Sequence, residues 1–192
     1  MRVIAGKWKG LKLQAPHGLK TRPTADRVRE GIFSVLGDKV KDTYFLDLFA
    51  GSGSVGLEAL SRGAHYVVFV EQDVNAIKSL RKNIARINAE KNCIIYPADG
   101  FRINRVFHRK NTKFDIVYMD PPFFIPMFLE KIKTYFTTPV IHENGLMILE
   151  HFHKIESPAD FGKLEKVKEI TYGDTGLSLY NFNLSSGEKP LS

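Results

Sequence analysis

Apolar positions along the chain change their period near residue 44. Upstream, residues 1–20 alternate loosely between apolar and basic side chains, with Val3-Ile4, Trp8, Leu11 and Leu13 interrupted by Gly6, Gly10 and Gly18. That pattern predicts a small β-rich arm. Thr24, behind Arg22-Pro23, is a candidate cap for a helix running to about Leu36. Val28, Ile32, Phe33 and Leu36 would form its apolar face, and Asp26 in the first turn suits the helix dipole. From Tyr44 onward, short apolar runs alternate with helical periodicity. Strands are expected at 44–48, 66–71, 93–97, 114–119 and 144–151, and helices near 54–61, 73–89, 99–108 and 125–135. The segment 73–89 is the clearest helix, because Val74, Ile77, Leu80, Ile84 and Ile87 recur at helical spacing. Such alternation predicts an α/β, doubly wound parallel sheet between layers of helices. Two further strands, Leu164 to Thr171 and Leu177 to Leu184, flank Tyr172-Gly173-Asp174-Thr175-Gly176 and form a hairpin-like end, so the sheet is expected to be mixed.

The expected division is an arm at 1–20, a domain at 21–184 and a frayed polar tail at 185–192. With 192 residues and 43% hydrophobic content, one core of useful size is within reach. Cys93 is the only cysteine, so an intrachain disulfide is excluded, which suits a reducing cytoplasmic setting. Its neighbours Ile94 and Ile95 mark it as a core position. The start lacks the apolar run of a signal peptide, and no stretch approaches the roughly 18 apolar residues of a membrane span.

Two loops carry the candidate chemistry. The first expected strand runs into Phe49-Ala50-Gly51-Ser52-Gly53, whose glycines continue to Gly56 in G-x-G-x-x-G spacing. Such a loop turns tightly and lets a nucleotide-type ligand approach backbone amides. Asp47 before the loop is awkward beside a pyrophosphate and comfortable beside a cationic amino-acid group. Glu71, followed by Gln72, ends the second strand where a carboxylate can accept ribose hydroxyls; that alone separates neither NAD nor S-adenosylmethionine. Asp99, before Gly100, lies where an adenine amino group could be met and is equally well placed as a helix cap. Phe49 reads as packing within the loop. Asp47 tips the balance toward S-adenosylmethionine.

The second loop is Asp120-Pro121-Pro122-Phe123, at the end of the apolar run Phe114 to Met119. An exocyclic aromatic amine is a poor nucleophile because its lone pair is delocalised. Asp120 and the Pro121 carbonyl can accept its two N–H groups and aim the nitrogen at a methyl sulfonium. The prolines stiffen those acceptors, and Phe123 can stack on the base. The loop alone does not distinguish guanine N2 from adenine N6. The histidines form no metal pattern, so no metal is expected, and Glu58 reads as a solvent-facing or polar helix residue.

Charge supplies the partner. Lys and Arg number 28 against 21 Asp and Glu, for a net charge of +7. Residues 1–30 hold eight basic and two acidic side chains, and Arg102, Arg105, Arg109, Lys110 and Lys113 form a second basic group. Uneven positive charge favours a polyanion.

With these motifs the chain resembles class I S-adenosylmethionine-dependent methyltransferases. More closely it resembles the bacterial 16S rRNA guanine-N2 methyltransferases of the RsmD family. The resemblance is carried by Arg2-Val3-Ile4-Ala5-Gly6-Lys7-Trp8-Lys9-Gly10, Arg22-Pro23-Thr24 and Asp26-Arg27-Val28-Arg29-Glu30. It continues through Asp47 to Gly53, Gly56 to Ala64, Asp120 to Phe123 and Tyr172 to Thr175. It implies a Rossmann-like seven-stranded mixed sheet with the last strand reversed. It also implies methylation of one guanine of 16S rRNA in assembled or partly assembled small ribosomal subunits. Lys7, Trp8, Lys9, Arg22, Arg27 and Arg29 would then meet RNA. The state expected is a monomer. Relatives often carry Tyr where this chain has Phe123, which excludes any mechanism needing a phenol there. Other readings are a DNA-adenine or protein-glutamine methylase, a dinucleotide-dependent oxidoreductase and a non-enzymatic RNA-binding protein. A DNA-adenine methylase usually needs a larger recognition domain than the short arm allows. A glutamine methylase would more naturally carry Asn at the Asp120 position and a separate partner-binding domain, and the oxidoreductase leaves the proline loop unexplained. Intact Asp47, Glu71 and Asp120 oppose the last.

Overall fold

The computed structural model describes residues 1–15, 26–122, 128–135 and 140–182. The sheet strands are β1 (Tyr44–Leu48), β2 (Tyr66–Glu71), β3 (Cys93–Pro97), β4 (Phe114–Met119), β5 (Ile141–Phe152), β6 (Asp160–Phe161), β7 (Leu164–Tyr172) and β8 (Thr175–Phe182). They stand in the order β3-β2-β1-β4-β5-β8-β7-β6. β1 to β5 are parallel to their neighbours, whereas β8 runs antiparallel between β5 and β7. The expected reversed last strand is β8. The eighth strand, absent from the expected seven, is the two-residue β6 at the sheet edge, too short to leave a period in the sequence.

Helices cover both faces. α1 (Asp26–Leu36), α2 (Ser54–Ser61) and α3 (Val74–Arg86) share one apolar cluster with Phe45, Val67, Ile116, Tyr118, Ile148 and Leu177. α4 (Asn104–Arg109) and α5 (Phe128–Tyr135) pack with Leu46, Val68, Val117, Met147 and Tyr180 on the opposite face. The central strands alternate between these clusters, as a pleat demands, yet both sides are apolar because both are covered. α3 ends before residue 89 because Asn88 takes a left-handed φ of 52°. α4 starts at 104 and not 99, because Asp99 organises a preceding turn. The expected Thr24 cap and the 185–192 tail lie outside the described residues.

The amino-terminal residues form a small hairpin, with a bridge between Arg2 and Lys12 and paired amides between Val3, Gly10 and Leu11. Val3 and Leu13 enter the α1–α3 core. Glu58 of α2 fixes this hairpin: it is fully buried and accepts from the amides of Ile4 at 2.7 Å and Ala5 at 2.9 Å, and from Arg62 Nε at 2.8 Å. The solvent-facing reading of Glu58 is therefore corrected, since the hairpin covers the outer side of α2 and buries all eight of its residues. Gly6 passes so close to α2 that a Cβ would lie 1.9 Å from the Ser61 carbonyl oxygen. Asn83 of α3 completes the attachment. Its Oδ1 accepts from the Gln14 amide, and its Nδ2 donates to the carbonyls of Gln14 and Ser52.

Candidate active site

The carboxyl ends of β1, β2, β3 and β4 converge on one rim of the sheet, where an open α/β sheet binds its ligands. After β1 the backbone turns through left-handed Phe49, Gly51 and Gly53 before α2 begins at Ser54. Only a loop bent this sharply brings the amino end of α2 under a ligand. A Cβ on Gly51 would meet nothing within 4 Å, so this part of the loop borders open space. Ala50 donates its amide to the Val70 carbonyl and ties the loop to β2. Phe49 packs 4.8 Å from Phe101 and lies over Gly100, in keeping with its reading as loop packing.

Asp47 is 1% exposed and its Oδ2 accepts from the Gly56 amide at 2.9 Å. Its Oδ1 is buried with no hydrogen-bond partner among the described residues. Burial pushes the carboxyl pKa up to about 7, the Gly56 amide holding it back and the charge of Glu71 adding to it. An unanswered buried acceptor beside an open glycine loop fits the ammonium of a bound amino-acid group.

Glu71 is turned toward the same loop. Its Oε2 accepts from the Gly51 amide at 2.7 Å, and its Oε1 from the amides of Gln72 and Asp73 at 2.8 Å. Three of about four acceptor positions are therefore occupied, which leaves room for one further donor. Two ribose hydroxyls fit only if the Gly51 amide gives way. Asp99 caps its turn through Phe101 at 2.8 Å, while its half-buried side chain borders the rim beside Gly100.

Asp120 leaves β4 beside the start of the glycine loop, its amide 3.4 Å from the Leu48 carbonyl. The proposed amine acceptor and the proposed donor pocket thus meet across the β1–β4 pair. Burial raises the Asp120 pKa well above the ordinary carboxylate value, with the charges of Glu150 and Asp47 adding to the shift. Pro121 is buried and Pro122 exposed; Phe123 lies outside the described residues. Two residues at this rim escaped the sequence reading. Glu150 of β5 is 6% exposed and accepts from the Tyr118 hydroxyl of β4. Its position after the apolar run Leu146 to Leu149 was the available signal.

The basic residues divide. Lys7, Lys9 and Arg27 are exposed, and Lys7 lies over the half-buried Trp8 ring at 5.1 Å. Arg22 is outside the described residues. Arg29 cannot meet a phosphate here, because it is fully buried and donates to the Arg2 carbonyl and to Asp26. It faces the sheet on α1 and serves packing of the arm. His151 is likewise buried, bonded to Ser178 at 2.9 Å. Among the described residues no His, Cys, Asp and Glu group is arranged to hold a metal, and no helix is long and apolar enough to cross a membrane.

Residues 1–181 match the family model described as Conserved hypothetical protein 95. The chain is 36% identical over 184 residues to the putative rRNA methyltransferase YlbH of Bacillus subtilis, covering 94% of this chain and 98% of that protein. It is 35% identical over 162 residues to the ribosomal RNA small subunit methyltransferase D of Escherichia coli K12, covering 84% and 77%. The solved structure of the putative methyltransferase yhhF from Escherichia coli superposes with a TM-score of 0.81 at 33% identity, covering 95% and 97%. Fold and site define a class I, S-adenosylmethionine-dependent methyltransferase. The chain belongs to the RsmD family, that of the ribosomal RNA small subunit methyltransferases D.

Proposed function

We propose that this enzyme methylates the exocyclic N2 of one guanine in 16S rRNA, acting in the cytoplasm as a monomer on assembled or partly assembled small ribosomal subunits. The observation that carries the reading is the meeting of Asp120-Pro121 with the glycine loop and Asp47 across β1 and β4. Bound S-adenosylmethionine supplies an electrophilic methyl group on sulfur and leaves as the thioether. Asp47 holds its ammonium, Glu71 with Gln72 meets its ribose, Asp99 and Gly100 border its adenine, and residues Phe49 to Gly53 shape its floor. Asp120 and the Pro121 carbonyl accept the amine N–H groups, which orients the nitrogen lone pair toward the methyl carbon. As the nitrogen becomes cationic, Asp120 accepts the proton it releases. Phe123 stacks on the base.

The hairpin and α3 form the RNA-facing surface in this reading. The hairpin exposes Arg2, Lys7, Lys9 and Lys12. α3, joined to it by Asn83 and Gln14, exposes Lys78, Arg81, Lys82 and Arg86 and carries no acidic residue. Basic residues at 78, 82 and 86 recur about every 6 Å along the helix, a spacing that suits successive phosphates.

The test is transfer of labelled methyl groups to small subunits from cells lacking this enzyme, followed by nucleoside analysis. N2-methylguanine is the expected product. N6-methyladenine, or labelling of DNA alone, overturns the assignment. In the same assay Asp120→Ala should bind the donor as the parent does and lose about 100-fold or more in kcat; an unchanged rate removes Asp120 from the mechanism.

A further inference from the structure

Three carboxylates gather at the ends of three adjacent strands. β1 contributes Asp47, the end of β4 leads to Asp120, and β5 contributes Glu150. β4 and β5 pair Tyr118 with Ile148 and Met119 with Leu149, so the next step along both strands sets Asp120 beside Glu150. Side-chain alternation puts all three on the face covered by α1, α2, α3 and the hairpin, with Phe45, Tyr118 and Ile148. Among the described residues neither Asp120 nor Glu150 has a salt-bridge partner. Among the described residues the titratable groups facing the pair are Asp47 from β1 and Tyr118 from β4, with Arg29 of α1 electrostatically coupled to Tyr118. β8 opposes Glu150 with the apolar Leu177.

Glu150 is too deeply buried to serve as the substrate acceptor, and the Tyr118 hydroxyl holds its carboxylate from the neighbouring strand. Adjacent carboxylates in such a setting do not both ionise readily; they hold a proton between them. We propose that Glu150, oriented by the Tyr118 hydroxyl, is a positioning residue that shares one proton with Asp120. The proposal rests on Asp120 being the amine acceptor. Tyr118 donates to Oε2 of Glu150, which leaves Oε1 to carry the proton toward Asp120. Before transfer the pair holds one proton, shared between the two carboxylates, and the free oxygen of Asp120 accepts the substrate N–H. After transfer the nitrogen has lost one proton to Asp120, and the pair holds two. Burial favours a retained proton on the pair: it moves the Glu150 pKa to about 7 and that of Asp120 well upward, the charge of Glu150 adding to the rise at Asp120.

Glu150→Gln removes the charge and keeps the shape. Carbon-13 shifts of aspartate carboxyls, with the Asp120 signal assigned by Asp120→Asn, report the titration without substrate or donor. The Asp120 midpoint should fall by about one pH unit or more in Glu150→Gln, because losing the proton no longer leaves two carboxylates side by side. The acidic limb of the kcat–pH profile should move the same way. An unmoved midpoint overturns the proposal. Tyr118→Phe keeps both carboxylates and should lower kcat about tenfold with the donor KM unchanged; equal kcat also overturns it. Failure of the parent enzyme to label small subunits would defeat the proposed function, while the carboxyl titration would still decide the pair.

Discussion

A buried carboxylate with one unanswered oxygen destabilises the chain that carries it, and Asp47 is such a group. Its folded pKa of about 7 lies above the ordinary 3.8, so the folded state binds a proton there more tightly than the unfolded state. Asp47 therefore costs nothing below the unfolded value and exerts its full penalty above about pH 7. Glu150, also moved to about 7, acts in the same window. The ligand-free protein should lose thermal stability as pH rises from about 4 to about 7, as calorimetry can follow. Asp47→Asn should raise Tm at alkaline pH by a few degrees while abolishing donor binding. A lower Tm at that pH would show that the carboxylate has a structural partner instead.

At the level of elements, the apolar runs of β1, β2, β3 and β4 match the observed strands residue for residue; β1, β2 and β4 read as continuous apolar segments because both their faces are covered, whereas β3 at the sheet edge is only partly buried. β5 begins three residues earlier than the expected 144, since Ile141 pairs with Phe114 and the exposed His142, Glu143 and Asn144 fill an irregular stretch before Leu146 pairs with Ile116. The turn of the glycine loop was legible in its glycine spacing. Glu58, Glu150 and Arg29 were not, because a charged side chain reads by default as solvated and only the tertiary fold reveals what buries it. The Glu58 attachment has a measurable consequence. Glu58→Ala leaves the Ile4 and Ala5 amides without their acceptor and should cost about 1–3 kcal/mol. Amide exchange should quicken in residues 3–11 more than in β1 and β4; protection that falls uniformly would count against a local clasp.

For the whole molecule, charge is spread so that the proposed catalytic groups and the proposed docking surface are separable. The carboxylates lie at the sheet rim, whereas the basic hairpin and α3 form the flank of the same layer. Lys78→Glu combined with Lys82→Glu should weaken small-subunit binding and flatten its dependence on salt, by about one unit of slope for each phosphate no longer neutralised. Donor affinity should stay at the parent value. A salt dependence identical to that of the parent would remove α3 from the docking surface.

The hairpin's attachment also sets an order of events during synthesis. Ile4 waits for Glu58, 54 residues later, and Gln14 waits for Asn83, 69 residues later. Residues translated before α2 and α3 are thus among the last of this layer to find their partners, and closing so long a loop slows folding. Until then a strongly basic, glycine-rich segment emerges as an unstructured chain in an environment crowded with RNA. The clasp on α2 and α3 is what converts that adhesive segment into a shaped surface.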